Sequence, residues 1–214
     1  MMQIANTSSA YHDVLSVSGK RWRVRDADMR WVGALSQLPD MPPVLATLLA
    51  ARGVSPEEAP DYLAPSLRAL LPDPSHLKDM DIATERLARA VCARETIAVF
   101  GDYDVDGATS SALLLRYFRA VGAPTLVHIP DRMKEGYGPN TDALLSLQAR
   151  GATVVVTVDC GTLSFEPLAA ATQAGLDMIV LDHHQGEARR PDVLALVNPN
   201  RLDEESPHKH LAAV

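Results

Sequence analysis

Carboxylate and imidazole side chains recur at the ends of short apolar runs in the second half of the chain. The four polar segments concerned are residues 101–107, 130–138, 159–161 and 182–184. Many carboxylates cannot share one site without cations, because like charges at close range raise each other's pKa. An oxygen-rich set with some imidazole favours Mn²⁺ or Mg²⁺. We therefore predict two such divalent ions, which together can stabilise the attacking and leaving oxygens of a phosphoryl transfer.

The elements that must position these side chains follow from the hydrophobic pattern. Short β-rich runs at 96–100, 125–129, 153–158, 177–181 and 194–197 alternate with helix-like stretches at 108–121, 141–150 and 165–174. Such alternation is typical of βαβ units. The sequence therefore predicts an α/β fold, a parallel β-sheet with helices on both faces. Ligands of such sheets bind outside the carboxyl ends of the strands, so the four polar segments should converge.

The first eighty residues show a different pattern, with many prolines and few strand signals. Ser55-Pro56-Glu57-Glu58 is a good helix start, and short helices are predicted at 44–52, 59–71 and 81–94. We interpret residues 1–80 as a helical N-terminal arm and residues 81–214 as the catalytic domain.

Composition limits the class of protein. The chain has 214 residues, of which 47% are hydrophobic and 22% charged, as in ordinary globular proteins. It has two cysteines, no apolar run of membrane-spanning length and no signal-peptide pattern at its start. We expect a cytoplasmic protein without a membrane partner. The net charge of −7 argues against a free-standing nucleic-acid binder, although bound cations would reduce that objection.

Each motif also has a structural interpretation. The Asp-X-Asp-X-Asp-Gly run could be a calcium loop, but the glutamate expected at its twelfth position is Leu113. Asp159 could simply cap the following helix, and a His-His pair such as His183-His184 is often a surface feature. Cys160 is expected to be a small core residue rather than a nucleophile. The occurrence of all these motifs together at predicted strand ends indicates a metal site more specifically than any one motif does.

The order of these motifs resembles the first three motifs of the DHH phosphoesterase superfamily. These are DVDGATS at 104–110, then Asp159, then DHH at 182–184. Within the superfamily, the segments VFGDYDVDGATS, IPDRMKEGYGPN, VDCGT, VLDHH, VNPN and SPHKHLAAV are similar to RecJ-type exonucleases from about residue 40 onwards.

The resemblance implies metal ligands. Asp104, Asp106, Asp159 and His183 would hold the two ions, with Asp159 bridging them. Many members of the superfamily carry a histidine where this chain has Phe100, and the RecJ-like pattern supplies Asp102 as a ligand instead.

The resemblance also implies roles around the ions. Asp106 and Asp159 would be catalytic through the metals, and His184 would contact the scissile phosphate or help the leaving oxygen depart. Asp182 would be a ligand or a partner of one.

Three further residues are candidate phosphate contacts. Ser110 is expected in the first turn of the helix that follows the first strand, where backbone N–H groups favour anions. Arg132 and Lys134 are candidates from the second polar segment, and a solvated loop is the alternative there.

The implied activity is metal-dependent 5′–3′ exonuclease hydrolysis of single-stranded DNA, in DNA repair and recombination. The protein is expected to be a monomer, with a single-strand-binding protein and a helicase as possible partners. RecJ-type proteins continue with a fourth metal-binding motif, a domain with a Gly-rich phosphate loop and an OB-fold. The chain is therefore expected to be a truncated product with an incomplete catalytic domain. It should bind DNA weakly, since the missing domains would supply most of that surface.

Two rival functions remain open. One is a DHH phosphodiesterase that acts on short RNA or cyclic dinucleotides, and the other is a non-catalytic scaffold with the DHH fold. A dinucleotide-binding Rossmann protein is disfavoured, because no G-X-G-X-X-G follows the first strand.

Overall fold

The computed structural model describes residues 15–21 and 25–214. The predicted N-terminal arm therefore falls partly outside the described residues, at 1–14 and 22–24. The chain divides into two compact units, Met1–Leu71 and Pro72–Val214. The domain boundary that we place at residue 80 remains a prediction.

The first unit contains short helices. They are α1 (Met29–Leu35), α2 (Pro43–Ala51), α3 (Ala59–Leu63) and α4 (Leu67–Leu70). A separate small core joins α1 and α2 through residues such as Leu35 and Leu49. The two hydrogen bonds of a capping box form at the predicted helix start: the Ser55 hydroxyl accepts from the Glu58 N–H at 3.2 Å, and the Glu58 carboxylate accepts from the Ser55 N–H at 3.0 Å. The helix itself begins later than this start predicts, at Ala59, with Glu58 as its N-cap.

Two further details of this unit add to the sequence prediction. The stretch 59–71, which is predicted to be helical, forms two short helices, because Pro65 disfavours helical backbone at the residue before it; α3 ends at Leu63 and α4 begins at Leu67. Helix α1 was not predicted, although Asp28 is a recognisable N-cap whose carboxylate accepts from the Arg30 N–H at 2.9 Å.

The second unit is a five-stranded, all-parallel sheet with helices on both faces, as predicted. Its elements are α5 (Met80–Ala93), β1 (Thr96–Gly101), α6 (Val105–Ala120), β2 (Thr125–His128), α7 (Thr141–Ala149), β3 (Ala152–Val158), α8 (Phe165–Gln173), β4 (Asp177–Leu181) and β5 (Ala195–Val197). The strand order is β2-β1-β3-β4-β5.

The strands other than the half-buried edge strand β2 are buried on both faces, which explains their continuous apolar character. Ala98 and Phe100 of β1 belong to a core with α7 and α8, whereas Ile97 and Val99 belong to a core with α5 and α6. This alternation follows from the two-residue period of side chains along a strand. Within residues 15–21 and 25–214, no helix is both long and apolar enough to cross a membrane.

A buried arginine joins α5 to the amino end of the sheet. Arg86 donates from Nε to Asp177 at 2.5 Å, and from Nη2 to Glu95 at 2.6 Å. The Glu95 carboxylate also accepts from the Thr153 hydroxyl at 2.6 Å. Only 10% of the Arg86 side chain is exposed, so its charge depends on these two carboxylates for compensation.

We predict that Arg86→Ala lowers the free energy of unfolding by about 2 kcal/mol, because two carboxylates lose their shared partner in a partly buried setting. Urea unfolding measures this value. The matched control is Arg89→Ala, an exposed arginine in the same helix, for which a change within about 0.5 kcal/mol is expected. Equal losses of unfolding free energy in the two variants would contradict the stabilising role that we assign to the Arg86 ion pairs.

Candidate metal centre

The candidate site lies where the strand order reverses. The chain passes from β1 to β2 on one side and then returns to place β3 on the other side of β1. Doubly wound sheets have a crevice at such a point, here between the carboxyl ends of β1 and β3, and it is their usual ligand position.

Three aspartates occupy equivalent places in the sheet, each one residue beyond the end of its strand. The Asp102 N–H donates to the Val158 carbonyl at 3.3 Å, and the Asp159 N–H donates to the Leu181 carbonyl at 2.9 Å. The Asp182 N–H likewise donates to the last residue of β5 at 3.1 Å. Parallel pairing thus continues one step past β1, β3 and β4, and it fixes all three aspartate backbones at one edge.

Asp159 is the most unusual of the three. Its backbone has a φ of +62°, which a non-glycine residue adopts only at a conformational cost, and its side chain is only 1% exposed. Burial, followed by the neighbouring Asp104 carboxylate, raises the pKa of Asp159 to about 7. The alternative that Asp159 merely caps a helix does not hold, since the N-cap of α8 is Ser164.

The loop after β1 places Asp102 and Asp104 beside Asp159. The Asp104 side chain caps α6 and accepts from the N–H groups of Asp106 at 2.9 Å and Gly107 at 3.1 Å. These backbone bonds, together with the contact to Asp159, hold the pKa of Asp104 below its ordinary value. Asp102 is buried, which raises its pKa, and the Asp104 charge acts in the same direction.

Gly107 is required by the close approach of α6 to this loop. A Cβ on Gly107 would lie 2.5 Å from the Asp102 carbonyl oxygen and 2.6 Å from its nitrogen. The contact is with backbone atoms, which cannot move aside as the end of a side chain can. Glycine at this position therefore lets the helix start pack directly on the Asp102 peptide.

Asp182 organises the loop after β4. One carboxylate oxygen accepts from the Thr162 N–H at 3.0 Å, and the other accepts from the N–H groups of His183 and His184 and from the His184 Nδ1 at 2.7 Å. Burial alone would raise the pKa of Asp182, but the bonds from Thr162 and His184 outweigh it and lower the pKa.

The two histidines differ in their surroundings. The His183 Nδ1 lies 3.2 Å from Asp159 Oδ1 without the geometry of a hydrogen bond. Burial opposes the charged form of His184, yet the hydrogen bond to Asp182 raises its pKa overall. The Tyr137 hydroxyl lies 3.4 Å from both ring nitrogens of His184 and donates to the Asp159 carbonyl at 3.2 Å.

Two groups of ligand atoms result, each lying within 4.8 Å of one another. They are Asp102, Asp104 and Asp159 on one side, and Asp159, Asp182, His183 and His184 on the other. Asp159 is common to both. The structure therefore brings together six of the sequence-predicted site residues, from three loops spread over more than eighty positions.

Several of these ligand atoms lack partners, which is the condition that metal ions would satisfy. Within the described part of the chain, both Asp159 carboxylate oxygens, Asp102 Oδ1 and His183 Nδ1 are buried without a hydrogen bond. Buried polar atoms without partners are costly, and they need an explanation such as an ion. The donor set of carboxylates and imidazole fits Mn²⁺ or Mg²⁺.

Asp106 and Ser110 lie outside both groups, as judged among the described residues. Helix α6 begins at Val105, three residues before the predicted start, because Asp104 supplies the cap. The expectation that Ser110 lies in the first turn is therefore wrong: it is in the second turn, buried, and donates to the Asp106 carbonyl at 2.7 Å. Asp106 is in the first turn, close enough for its charge to add to the raised pKa of Asp159.

The second polar segment contributes one cation near the site. The Arg132 guanidinium carbon lies 5.2 Å from the centre of the Tyr103 ring, and its charge opposes the rise in the pKa of Asp102 that burial causes. Lys134 is exposed, and its Nζ lies 3.5 Å from Asp131. The structure thus places Arg132, but not Lys134, beside the carboxylates.

Sequence reasoning missed the residues that hold the ligand loops from behind. Tyr137 contacts both Asp159 and His184 through its hydroxyl. Thr162, Asn198 and Asn200 contact the loop at 182–184 through backbone and amide groups. The only signal was their presence in the segments GYGPN, VDCGT and VNPN.

The comparison with known families decides the assignment. The model of the DHH family, N-terminal domain, matches residues 96–213, more than half of the chain. The chain belongs to the DHH family. The match contains β1 to β5 and every member of the two ligand groups, so the candidate site lies within the DHH domain.

Named relatives share this DHH domain. The single-stranded-DNA-specific exonuclease RecJ of Bacillus subtilis is 36% identical over 92% of this chain and 25% of its own length. RecJ of Salmonella typhimurium is 39% identical over 91% of this chain and 33% of its own length. The chain thus spans a quarter to a third of the length of these two relatives.

A solved structure agrees with the fold and the chemistry of the DHH domain. The crystal structure of RecJ in complex with Mn²⁺ from Thermus thermophilus matches with a TM-score of 0.65 and 27% identity. The match covers 89% of this chain and 26% of the other.

Gly107→Ala should displace the Asp102 peptide, because the added carbon would overlap backbone atoms. We expect a loss of about 1–3 kcal/mol in the free energy of unfolding. The control is Gly33→Ala in α1, where a Cβ meets nothing within 4 Å and a gain of about 0.5–1 kcal/mol is expected. Urea unfolding measures the free energy of unfolding of both variants. An unchanged value for Gly107→Ala would refute the close approach of α6 to the Asp102 peptide.

The pKa of Asp159 gives a testable pH dependence. Because the folded pKa lies above the unfolded value, the metal-free chain loses stability as pH rises from about 4 to about 7. A metal ion needs the carboxylate, so below about pH 7 its binding should release a proton, and affinity should fall about tenfold per pH unit. Calorimetry with Mn²⁺ in buffers of different ionisation enthalpy measures the released proton. Equal affinity at about pH 6 and about pH 8 would contradict the prediction.

Proposed function

We propose that this chain carries the two-metal centre of an exonuclease that hydrolyses single-stranded DNA from its 5′ end. The observation that supports the proposal most directly is the pair of ligand groups that share Asp159, whose buried carboxylate has no hydrogen-bond partner among the described residues. A carboxylate common to two ligand groups suits a site that would hold two divalent ions. The DNA substrate and its polarity are proposed from the similarity to RecJ proteins, which are named for activity on single-stranded DNA.

The proposed ligands divide between the two groups. Asp102 and Asp104 would hold one ion, and His183 would hold the other, with Asp159 bridging. We propose Asp106 as an additional ligand, since it stands in the first turn of α6 close to Asp159. When bound, the ions would neutralise the carboxylates and stabilise charge on the attacking and leaving oxygens.

The chain's own residues would orient the reaction. The hydrogen bond from His184 Nδ1 to Asp182 fixes the plane of the imidazole and favours its protonated form. His184 can thereby donate a hydrogen bond or a proton to a phosphate oxygen at its other nitrogen. Asp182 already accepts four hydrogen bonds, so we propose that it positions His184 more than it binds an ion.

Recognition of the substrate would need positive charge and stacking surfaces beside the acidic crevice. Arg132 supplies the charge, and the exposed Tyr137 ring packs edge-on against Tyr103, with their centres 6.5 Å apart. Single-stranded nucleic acid is bound by such combinations of cations and aromatic rings. We propose phosphate contact for Arg132 and assign no such role to Lys134 or Ser110.

The proposed centre predicts that Asp159→Asn abolishes Mn²⁺ binding. The substitution keeps the shape of the side chain but removes the charge common to both ligand groups. Loss of an outer partner of a ligand costs ~10–100-fold in affinity, so loss of the bridging ligand should exceed ~100-fold. Calorimetry of the purified chain measures the Mn²⁺ affinity of the unchanged protein and of the variant.

The matched control is Asp142→Asn, which removes an exposed carboxylate from the first turn of α7. It should leave Mn²⁺ binding unchanged. Hydrolysis is then compared on single-stranded DNA, duplex DNA, short RNA and cyclic dinucleotides, with Asp159→Asn as the blank. Preferential Mn²⁺-dependent hydrolysis of cyclic dinucleotides would favour the rival phosphodiesterase, and undiminished Mn²⁺ binding by Asp159→Asn would refute the proposed centre.

A further inference from the structure

Strand β5 ends beside the ligand loops, yet the two ligand groups found in the described residues draw all their members from the ends of β1, β3 and β4. The segment after β5 carries two asparagines, Asn198 and Asn200. Asn198 is fully buried, with 0% of its surface exposed. A buried amide at the edge of a charged site needs a reason, because its hydrogen-bonding groups must all be satisfied.

The two amides bind the backbone of the ligand loops. The Asn198 Nδ2 donates to the His184 carbonyl at 2.8 Å and to the Thr162 hydroxyl at 2.8 Å. The Asn200 Nδ2 donates to the His183 carbonyl at 2.5 Å. The carbonyl groups of both histidines therefore accept from the same short segment.

The contact with Thr162 extends the connection to a second loop. Thr162 follows Asp159 by three residues, and its N–H donates to Asp182. Asn198 thus joins the loop that carries Asp159 to the loop that carries His183. The separation of these two loops sets the distance between the shared carboxylate and the imidazole ligand.

The asparagine segment is itself rigidly held. Asn198 Oδ1 accepts from the Asn200 N–H at 2.7 Å, which fixes the turn between them. Arg201, only 3% exposed, donates to the Leu196 carbonyl at 2.5 Å and to Asp79 at 2.7 Å. A fixed amide can hold a flexible carbonyl in place, whereas a mobile amide could not.

We propose that Asn198 and Asn200 are positioning residues for the metal centre, which set its affinity for divalent ions by fixing the backbone of His183 and His184. The proposal rests on the proposed function, since it assumes that this site binds metal. Neither asparagine would touch an ion. Each would act through a histidine, as the outer hydrogen-bond partners of metal ligands do.

The test compares Asn200→Ala and Asn198→Ala with the unchanged full chain. Asn200 is partly exposed, so its alanine variant should fold even if loss of the buried Asn198 does not allow folding. Mn²⁺ affinity is measured by calorimetry, and the thermal midpoint of the metal-free chain is measured separately. We expect Asn200→Ala to weaken Mn²⁺ binding ~10-fold or more, in the range found for outer partners of metal ligands.

The control is Thr153→Val, which removes one hydrogen bond, to Glu95, at the opposite end of the same sheet. It should lower the thermal midpoint of the metal-free chain without changing Mn²⁺ affinity, which is the result that a merely structural role would give. If Asn200→Ala behaves like Thr153→Val, the inference is overturned while the proposed function stands. If the unchanged chain binds no Mn²⁺, the proposed function fails and the inference fails with it.

Discussion

The arrangement of the candidate site depends on three backbone hydrogen bonds. The N–H groups of Asp102, Asp159 and Asp182 continue the parallel ladder one residue beyond β1, β3 and β4. Parallel pairing fixes the backbone but leaves each side chain free at the edge of the sheet. Three carboxylates thereby lie close together at one crevice, where their like charges repel one another. The remaining contacts of the site compensate for this repulsion.

Two buried carboxylates differ in how their surroundings compensate for burial. The Asp182 carboxylate accepts hydrogen bonds at both oxygens, which lowers its pKa. The Asp159 carboxylate accepts none among the residues that the structure describes, and its pKa is raised. A saturated carboxylate is a fixed part of the framework. An unsaturated one is available to an incoming cation. The difference separates a residue that orients its neighbours from one that can bridge two ions.

The sequence predicted the fold because its pattern has a strong physical cause. Strands buried on both faces give continuous apolar runs, and acidic residues directly after such runs can only lie at the carboxyl edge. The helix start at Val105 was misplaced because Asp104 was interpreted only as a ligand, although its side chain also caps the helix. The same residue type can serve both purposes, and composition does not separate them.

The sequence does not predict contacts between loops that are distant along the chain. The spacing of Asp159 and Asp182 does not indicate which of the two carboxylates accepts hydrogen bonds. The donors to Asp182 are N–H groups of Thr162 and of the loop after β4, and their positions depend on the fold. The amides of Asn198 and Asn200 act on carbonyl groups, which every residue possesses and which leave no mark in a sequence. Such contacts become visible only when the register of the sheet is known.

The negative charge of the chain would disfavour its binding to a polyanion such as a nucleic acid. The chain has a formal charge of −7, and the crevice concentrates carboxylates whose field would repel a phosphate. Divalent ions at the two ligand groups would reverse the local sign, so metal binding would precede favourable contact with a nucleic acid. Arg132 lies beside the carboxylates, where its charge would add to that of the ions. Under the proposed function, the same carboxylates would repel DNA from the metal-free crevice and would make DNA binding conditional on the divalent ions.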